Sequence, residues 1–224
     1  MTEPLSRSIK HILFDLDGTL ADTAPDMAFA LNKLRQQRGK PPLEFDKIRP
    51  VVSLGGAAMI KLAFNLTVDD TEFEALRKNF LEIYSQNIFR NTRLFPGMDH
   101  VLDTLEANNC QWGIVTNKPG WLTGPLLEAM ELDNRASCVI SGDTLPYNKP
   151  RPEPLLHACS LMDCSPGDTV YIGDARRDIE AGKNAGMSTI IARYGYIENG
   201  EVPDTWGADV IIDTPLEILE WLKT

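Results

Sequence analysis

The sequence predicts an α/β fold: a parallel sheet with flanking helices forms a core, and a helical cap is inserted after the first strand. Three observations support this fold class. Short apolar runs alternate with amphipathic stretches, which is the pattern of βαβ units. Residues 22–95 interrupt the alternation and show only helical periodicity. Two of the apolar runs end in an aspartate, at the edge of the sheet where ligands bind in open parallel folds.

Six apolar runs are candidate strands of the sheet. They occupy residues 9–15, 111–116, 138–141, 169–173, 188–192 and 209–212. Between them, apolar side chains recur at three- and four-residue intervals, as in Val101, Leu102 and Leu105, so we expect helices that pack on the sheet. Leucines at every third position after residue 215 predict a last helix.

The interrupting segment is predicted to be a separate helical cap. Two long helices are expected over residues 24–38 and 69–89, with Phe73, Leu76 and Phe80 on one face of the second. A Phe-Pro-Gly turn closes the segment. We therefore predict a catalytic core made of residues 1–21 and 96–224, and a cap made of residues 22–95.

The composition limits the classes of partner. The net charge is −10, and an acidic surface repels nucleic acid and anionic membranes, which attract Lys and Arg. The first ten residues are polar, unlike a signal peptide, and no window approaches the ~20 apolar residues of a membrane span. We expect a soluble cytoplasmic protein with neither nucleic-acid nor membrane partners. Both a monomer and a dimer remain open.

The first strand ends in two aspartates and a glycine. An ordinary Asp-Gly loop would explain Asp17 and Gly18. It does not explain Asp15, which follows three apolar residues and would be costly there without a partner. We interpret Asp15 and Asp17 as functional carboxylates, with Gly18 supporting the turn that brings them together.

Three further segments carry polar side chains just after a candidate strand. Thr116 and Asn117 follow the second strand, and Lys149 follows the third. Taken alone, Thr-Asn is more often a turn or a helix cap, and the lysine is more often a solvated loop residue. Asp174 ends the fourth strand, and Asp178 comes one helical turn later.

Together these segments indicate a site more strongly than each does alone, because the carboxyl ends of parallel strands meet at one edge of the sheet. The predicted site therefore holds carboxylates, a hydroxyl and a lysine. Asp15, Asp17 and Asp174 offer hard oxygen ligands of the kind that octahedral Mg²⁺ prefers, with a phosphate oxygen and waters completing its shell.

The four ordered motifs resemble those of the haloacid dehalogenase superfamily of phosphotransferases, over essentially the whole chain. The resemblance implies a Rossmann-like core with a helical cap after the first strand. It implies that Asp15 is a nucleophile and that Asp17 is the general acid and base, which also reaches the metal through its backbone carbonyl. The other implied roles are phosphate binding by Thr116, Asn117 and Lys149, Mg²⁺ binding by Asp174, and support of that site by Asp178 through Lys149 or water.

Within the superfamily the chain resembles the phosphoglycolate phosphatase group. Segments 193–197 and 206–211, with Trp112 and the cap stretch 53–56, are also similar to bacterial N-acetylmuramic acid 6-phosphate phosphatases. The tail segments could equally be core and edge packing. The resemblance implies a Mg²⁺-dependent phosphatase of small metabolites, with phosphoglycolate as the first candidate substrate and N-acetylmuramic acid 6-phosphate as the alternative.

One cap segment is predicted to read the substrate. We hypothesise that Arg49, Ser53 and Gly55 face the active site, although the same stretch could be a plain turn between helices.

Three other functions compete with a phosphatase as interpretations of the sequence. A dehalogenase would not need Asp17, a phosphomutase would keep all four motifs and differ only in its product, and a non-catalytic binding protein would not need the chemical residues intact.

Overall fold

The apolar runs of the sequence form the strands of the computed structural model, which describes residues 9–223. Eight strands occur in this range. They are β1 (His11–Phe14), β2 (Ala21–Asp22), β3 (Arg93–Leu94), β4 (Gln111–Val115), β5 (Val139–Ile140), β6 (Thr169–Gly173), β7 (Ser188–Ala192) and β8 (Val210–Ile212). Each of the six predicted strands overlaps one of them, so the predicted sheet is confirmed.

Six of the strands form one parallel sheet in the order β5-β4-β1-β6-β7-β8. The central strand β1 pairs with β4 on one side and with β6 on the other, so that Phe14 lies opposite Ile114 and Ile172. The chain winds outward in one direction from β1 to β5 and in the other from β6 to β8. Between β1 and β6 the winding reverses, which opens a ligand-binding crevice at the strands' carboxyl ends.

Nine α-helices occur among the described residues. They are α1 (Ala24–Gln37), α2 (Phe45–Ile48), α3 (Gly55–Phe64), α4 (Phe73–Ser85), α5 (Met98–Ala107), α6 (Gly120–Ala129), α7 (Glu153–Leu161), α8 (Arg176–Asn184) and α9 (Glu217–Lys223). Side chains of β1 alternate between the two faces of the sheet. Ile12 and Phe14 pack with α5, α6 and α9, whereas Leu13 packs in the cluster that contains residues of α7 and α8.

A further apolar cluster belongs to helices α1, α3 and α4 of the inserted segment. Its members include Phe80, which is fully buried, and also Leu122 and Tyr196 from outside the segment, so the cap packs onto the core. Helix α1 agrees with the predicted helix over residues 24–38. Helix α4 is shorter than the predicted 69–89 at both ends. It starts late because the Asp70 carboxylate accepts the backbone N–H of Thr67 and holds a turn ahead of the helix.

Strands β2 and β3 form a separate antiparallel ribbon where the chain leaves and re-enters the core. The predicted domain boundaries fall at this ribbon, and the division into two domains stays a prediction. Two-residue strands are too short to show any periodicity in sequence.

The polar start of the chain, on which the expectation of no signal peptide rests, lies largely outside the described residues. Within residues 9–223, none of the helices combines the length and the apolar character needed to cross a bilayer.

A buried carboxylate fixes the returning segment of the chain beside this ribbon. Asp26 lies in the first turn of α1 and is fully buried. It accepts hydrogen bonds from the backbone N–H groups of Arg90, Asn91 and Thr92 at 2.9–3.0 Å, and from the Thr92 hydroxyl at 2.8 Å. One side chain thereby joins the start of the cap to its end.

Replacing Asp26 is expected to destabilise the fold without touching the chemistry. Asp26→Ala leaves backbone donors without an acceptor, which costs about 3 kcal/mol and lowers Tm by roughly 6–12 °C for a chain of this size. Calorimetric melting checks this. Asp26→Asn keeps one acceptor oxygen and should lose less than half as much. Equal melting temperatures for wild type and Asp26→Ala would show that the hydrogen bonds of Asp26 contribute nothing to stability.

Candidate active site

The carboxyl ends of β1 and β6 bring two of the predicted aspartates together at the crevice. Asp15 directly follows β1, and its backbone N–H donates to the carbonyl of Ile172 at 2.9 Å. Asp174 directly follows β6. Lys149 joins them from the third motif: its Nζ lies 2.9 Å from Asp15 Oδ1 and 2.7 Å from Asp178 Oδ1. All four side chains are buried, and they come from the first, third and fourth of the sequence motifs.

Two neighbours hold Lys149 in position. The side-chain amide of Asn117 accepts the N–H of Lys149 and donates to its carbonyl, both at 3.1 Å. The hydroxyl of Tyr171 accepts from Lys149 Nζ at 2.7 Å and donates to the carbonyl of Val115 at 2.9 Å. In this arrangement Asn117 orients the lysine, and its predicted contact with phosphate stays a prediction. The peptide bond between Lys149 and Pro150 is cis.

Three carboxylates crowd together beside the lysine. One ligand oxygen each from Asp15, Asp174 and Asp178 lies within 4.8 Å of the other two. Burial, with Asp15 and Asp178 adding to it, raises the pKa of Asp174 to about 7. Burial also raises the pKa of Asp15, although Lys149 counteracts it. The cluster therefore carries more negative charge than its surroundings balance, and a cation would relieve it.

The cluster fits a magnesium site in chemistry and in its available ligand atoms. Carboxylate oxygens are the donors that Mg²⁺ takes, with waters completing an octahedron. The oxygens of Asp178 are already engaged, by Lys149 and by the backbone N–H of Ala175 at 3.0 Å. Asp174 also accepts hydrogen bonds, from the backbone N–H of Tyr196 at 2.7 Å and from the hydroxyl of Ser53 at 3.0 Å. Metal binding by Asp15 and Asp174 therefore stays a prediction. Asp178 contacts Lys149 directly, and its predicted support of the metal site stays a prediction.

The Asp17 carboxylate turns away from this cluster. It accepts from Lys118 Nζ at 2.9 and 3.2 Å and from the hydroxyl of Thr23. Lys118 also donates to the hydroxyl of Tyr84, a fully buried residue of cap helix α4, at 3.0 Å. Burial alone would lower the pKa of Lys118, but Asp17 and Tyr84 outweigh it and hold that pKa above its usual range. Only the backbone carbonyl of Asp17 remains as its predicted route to a metal.

Gly18 lets the loop after β1 pass close to Asp174. Its φ of +89° lies in the region that side chains disfavour. A Cβ at this position would overlap Oδ2 of Asp174. No residue with a side chain fits here without displacing the carboxylate, which accounts for the glycine.

A partly open cavity of about 440 Å³ lies between the cap and the core at this site. Thr116 lines it on the core side, near Asp15 and Asp17, and Ser53 and Gly55 line it on the cap side. The hydroxyl of Ser53 donates to Asp174 Oδ2 at 3.0 Å and contacts the Asp17 carbonyl at 3.4 Å. Ser53 and Gly55 therefore lie where the sequence predicted, and their part in substrate choice stays a prediction.

Arg49 lies elsewhere than predicted. Its guanidinium donates to the carbonyls of Gly195 at 2.8 Å and Tyr194 at 3.1 Å, and stacks 4.8 Å from the ring centre of Tyr196. It does not line the cavity. The expectation that Arg49 faces the active site is corrected by this geometry, because the loop after β7 presents two carbonyls that hold the guanidinium. Arg49 fastens the cap to the core.

Sequence reasoning missed several residues of the site. Lys118 contacts Asp17 and Tyr171 contacts Lys149, and each of the two carried a weak signal in the sequence. A tyrosine within the buried strand β6 needs a partner for its hydroxyl. A lysine two residues after Thr116 falls at the same edge of the sheet. Arg177, which could have been a surface charge, lines the cavity and donates to the carbonyl of Ser53 at 2.7 Å.

Comparison with known proteins agrees with this geometry. The family model described as haloacid dehalogenase-like hydrolase matches residues 12–192. An N-acetylmuramic acid 6-phosphate phosphatase of Pseudomonas putida is 41% identical over 210 residues, which are 94% of each chain. A phosphoglycolate phosphatase of Xanthomonas campestris pv. campestris is also 41% identical, over 94% of this chain and 95% of the relative.

The same likeness extends to solved structures. The crystal structure of a predicted phosphoglycolate phosphatase from Haemophilus somnus 129pt superposes with a TM-score of 0.86 at 27% sequence identity. The match covers 96% of this chain and 98% of that one. The chain is thus similar over most of its length to proteins with two different substrate names.

Proposed function

We propose, from the premise that this chain belongs to the haloacid dehalogenase-like hydrolase family, that it is a phosphatase of small phosphorylated metabolites with a covalent intermediate on Asp15. One observation carries the proposal: a carboxylate at the end of β1 lies 2.9 Å from a buried lysine, beside the aspartate that ends β6 and at a cavity between the cap and the core. A nucleophile, a phosphate-binding cation and a metal-binding acid are the groups that phosphoryl transfer requires.

The first half of the reaction transfers the phosphoryl group to the protein. An oxygen of Asp15 attacks phosphorus as the ester P–O bond breaks on the opposite side. Asp17 gives its proton to the departing oxygen, so that an alcohol leaves rather than an alkoxide. Lys149 and Thr116 bind the phosphoryl oxygens and hold them in line with Asp15.

The second half returns the protein to its starting state. Asp17, now a carboxylate, takes a proton from water, and that water attacks phosphorus. The bond between phosphorus and Asp15 breaks, which releases inorganic phosphate and restores the aspartate. In the structure the Asp17 carboxylate lies 2.9 Å from Lys118 Nζ.

Positioning and charge must supply most of the acceleration. Uncatalysed phosphate monoester hydrolysis is so slow that enzymes accelerate it up to ~10²¹-fold, whereas general acid–base catalysis contributes only ~10²–10⁴-fold. Mg²⁺ held by Asp15 and Asp174 would supply positive charge to the phosphoryl oxygens. Lys149, which is fixed by Asn117 and Tyr171, supplies a second positive charge in a preorganised place.

The substrate class follows from the relatives and stays part of the proposal. Phosphoglycolate is one candidate, in keeping with the Xanthomonas relative. N-acetylmuramic acid 6-phosphate is the other, in keeping with the Pseudomonas relative at the same identity. A phosphomutase would use the same residues, and it differs by returning an isomerised sugar phosphate instead of free phosphate.

Metal removal tests the proposal directly. We expect phosphate release from p-nitrophenyl phosphate to stop with excess EDTA and to return with Mg²⁺. Melting provides a second measurement, since a bound ion stabilises the folded state. Mg²⁺ should raise Tm in the wild type and not in Asp174→Asn. Full activity in EDTA, or an equal rise in Tm for both proteins, would contradict the assigned site.

A further inference from the structure

The catalytic cavity is larger than a two-carbon leaving group requires. The cap already contacts the core in this structure, through Ser53 on Asp174 and through Tyr84 on Lys118. The 440 Å³ that remains is the room of roughly fifteen waters in the liquid. Glycolate would occupy a small part of it. A leaving group the size of a sugar would fill much more of this cavity between the cap and the core.

The cap wall of this cavity is apolar apart from a few groups. Val52, Leu54 and Leu81 contribute aliphatic surface, and Tyr84 contributes a ring. Within the described residues, Arg77 of helix α4 is the one charged side chain that the cap places on this wall. A lone cation on an apolar wall favours an anionic group of the ligand beside it.

The position of Arg77 along α4 determines how far a group bound by Arg77 lies from Asp17. Tyr84 lies on the same helix and contacts Lys118, the partner of the proton donor Asp17. Arg77 comes two helical turns earlier, which is roughly 10 Å along the axis. It also lines the wider groove outside the cavity, together with Leu81 and Pro119. An anion bound by Arg77 is therefore well separated from the ester oxygen that Asp17 protonates.

The present partner of Arg77 is easily exchanged. Its Nε donates to both oxygens of Glu74 at 2.9 and 3.1 Å, one turn away on α4. The Glu74 side chain is 69% exposed, and ion pairs in water contribute little to stability. The aliphatic part of Arg77 lies against Gly56, where an added Cβ would stand 3.6 Å from its Cγ. A ligand carboxylate can replace Glu74 and keep the two-pronged geometry that guanidinium favours.

We propose that Arg77 determines specificity by binding a carboxylate on the leaving group, far from the phosphate. This inference rests on the proposed phosphatase function and deepens it. The substrate is then a sugar-sized phosphate ester with a second acidic group. In phosphoglycolate the carboxylate is one carbon from the ester oxygen and cannot span the distance to Arg77. In N-acetylmuramic acid 6-phosphate the lactyl carboxylate lies across the ring from the phosphate.

A pair of matched substrates tests the role of Arg77. N-acetylglucosamine 6-phosphate has the same ring, acetamido group and phosphate as N-acetylmuramic acid 6-phosphate but lacks the lactyl carboxylate. We expect Arg77→Gln to lower kcat/KM for the acid substrate about tenfold or more, through KM, because a hydrogen-bonded ion pair is lost. The value for N-acetylglucosamine 6-phosphate should stay unchanged. Arg77→Lys should retain part of the preference for the acid substrate, since lysine keeps the positive charge but lacks the paired N–H donors of the guanidinium.

Two further variants separate binding from packing. Lys47→Gln removes a cap charge from a similar exposed ion pair, Lys47 with Glu44. This variant should leave kcat/KM unchanged for both sugar phosphates. Glu74→Gln removes the competing carboxylate and should lower KM for the acid substrate alone. An equal loss of kcat/KM for both sugar phosphates in Arg77→Gln, or no loss for either, would overturn the inference and leave the phosphatase function standing. So would a wild-type preference for phosphoglycolate. Absence of phosphate release from every substrate, p-nitrophenyl phosphate included, would overturn the function and the inference together.

Discussion

Asp15→Asn is expected to abolish turnover, with a loss on the order of 10⁶-fold, the scale seen when a covalent nucleophile is removed. The amide has nearly the same shape as the carboxylate but cannot attack phosphorus. The fold should survive. Burial raises the pKa of Asp15, so its ionised form costs folding free energy at neutral pH, and the neutral amide does not. Steady-state phosphate release and melting of the same preparation check both parts.

A second aspartate serves as the control for Asp15→Asn. Asp133 is exposed and lies outside the site, so Asp133→Asn should keep full activity. Mass spectrometry must exclude deamidation of the introduced asparagine back to aspartate, since a trace of wild type would mimic residual turnover. Substantial activity in a preparation free of deamidation would show that phosphorus is attacked by something other than Asp15.

Asp17→Asn is expected to divide the two halves of the reaction. Turnover of alkyl phosphates should fall by about 10²–10⁴-fold, the usual contribution of a general acid. With p-nitrophenyl phosphate the leaving group departs without a proton, so the first half should still occur. The second half lacks its base. We expect a burst of one p-nitrophenolate per protein and then near-arrest, with a phosphoryl group detectable on Asp15 by mass spectrometry of the intact chain.

The ion pair with Lys118 complicates this variant, and a double variant resolves it. The Lys118 side chain is 4% exposed, so a neutral partner leaves a buried cation with less compensation and lowers stability. Lys118→Met in the Asp17→Asn background should recover melting temperature without recovering the second half-reaction. A single variant that turns over p-nitrophenyl phosphate at a steady wild-type rate would refute the acid–base assignment.

The sheet and the centre of the site could be predicted from sequence because their signals are local. A strand buried on both faces appears as a continuous apolar run, and an aspartate that ends such a run has few explanations other than function. Asp15 and Asp174 follow this pattern. Parallel pairing then places the ends of the strands at one edge, whatever the details of the connections.

The contacts that complete the site depend on the tertiary structure and left no such signal. Arg49 was expected at the cavity because it precedes a glycine pair, but two carbonyls of the loop after β7 bind it. Lys118 reaches Asp17 from another strand end, and Tyr84 reaches Lys118 from the cap. Nothing in the sequence near Asp17 indicates either neighbour. The β2–β3 ribbon was missed for a different reason, since two residues are too few to form a pattern.

The central place of β1 has a consequence for how the protein is made. His11 pairs with Gln111 and Thr169, so β1 leaves the ribosome about 100 residues before one neighbouring strand and about 160 before the other. Helices α1 to α4, by contrast, are contiguous in sequence and can gather as they emerge. Contacts between distant residues are slow to form. The nascent chain therefore passes through a long period without chemistry, and the active site assembles only once Asp174 and Asp178 have been added.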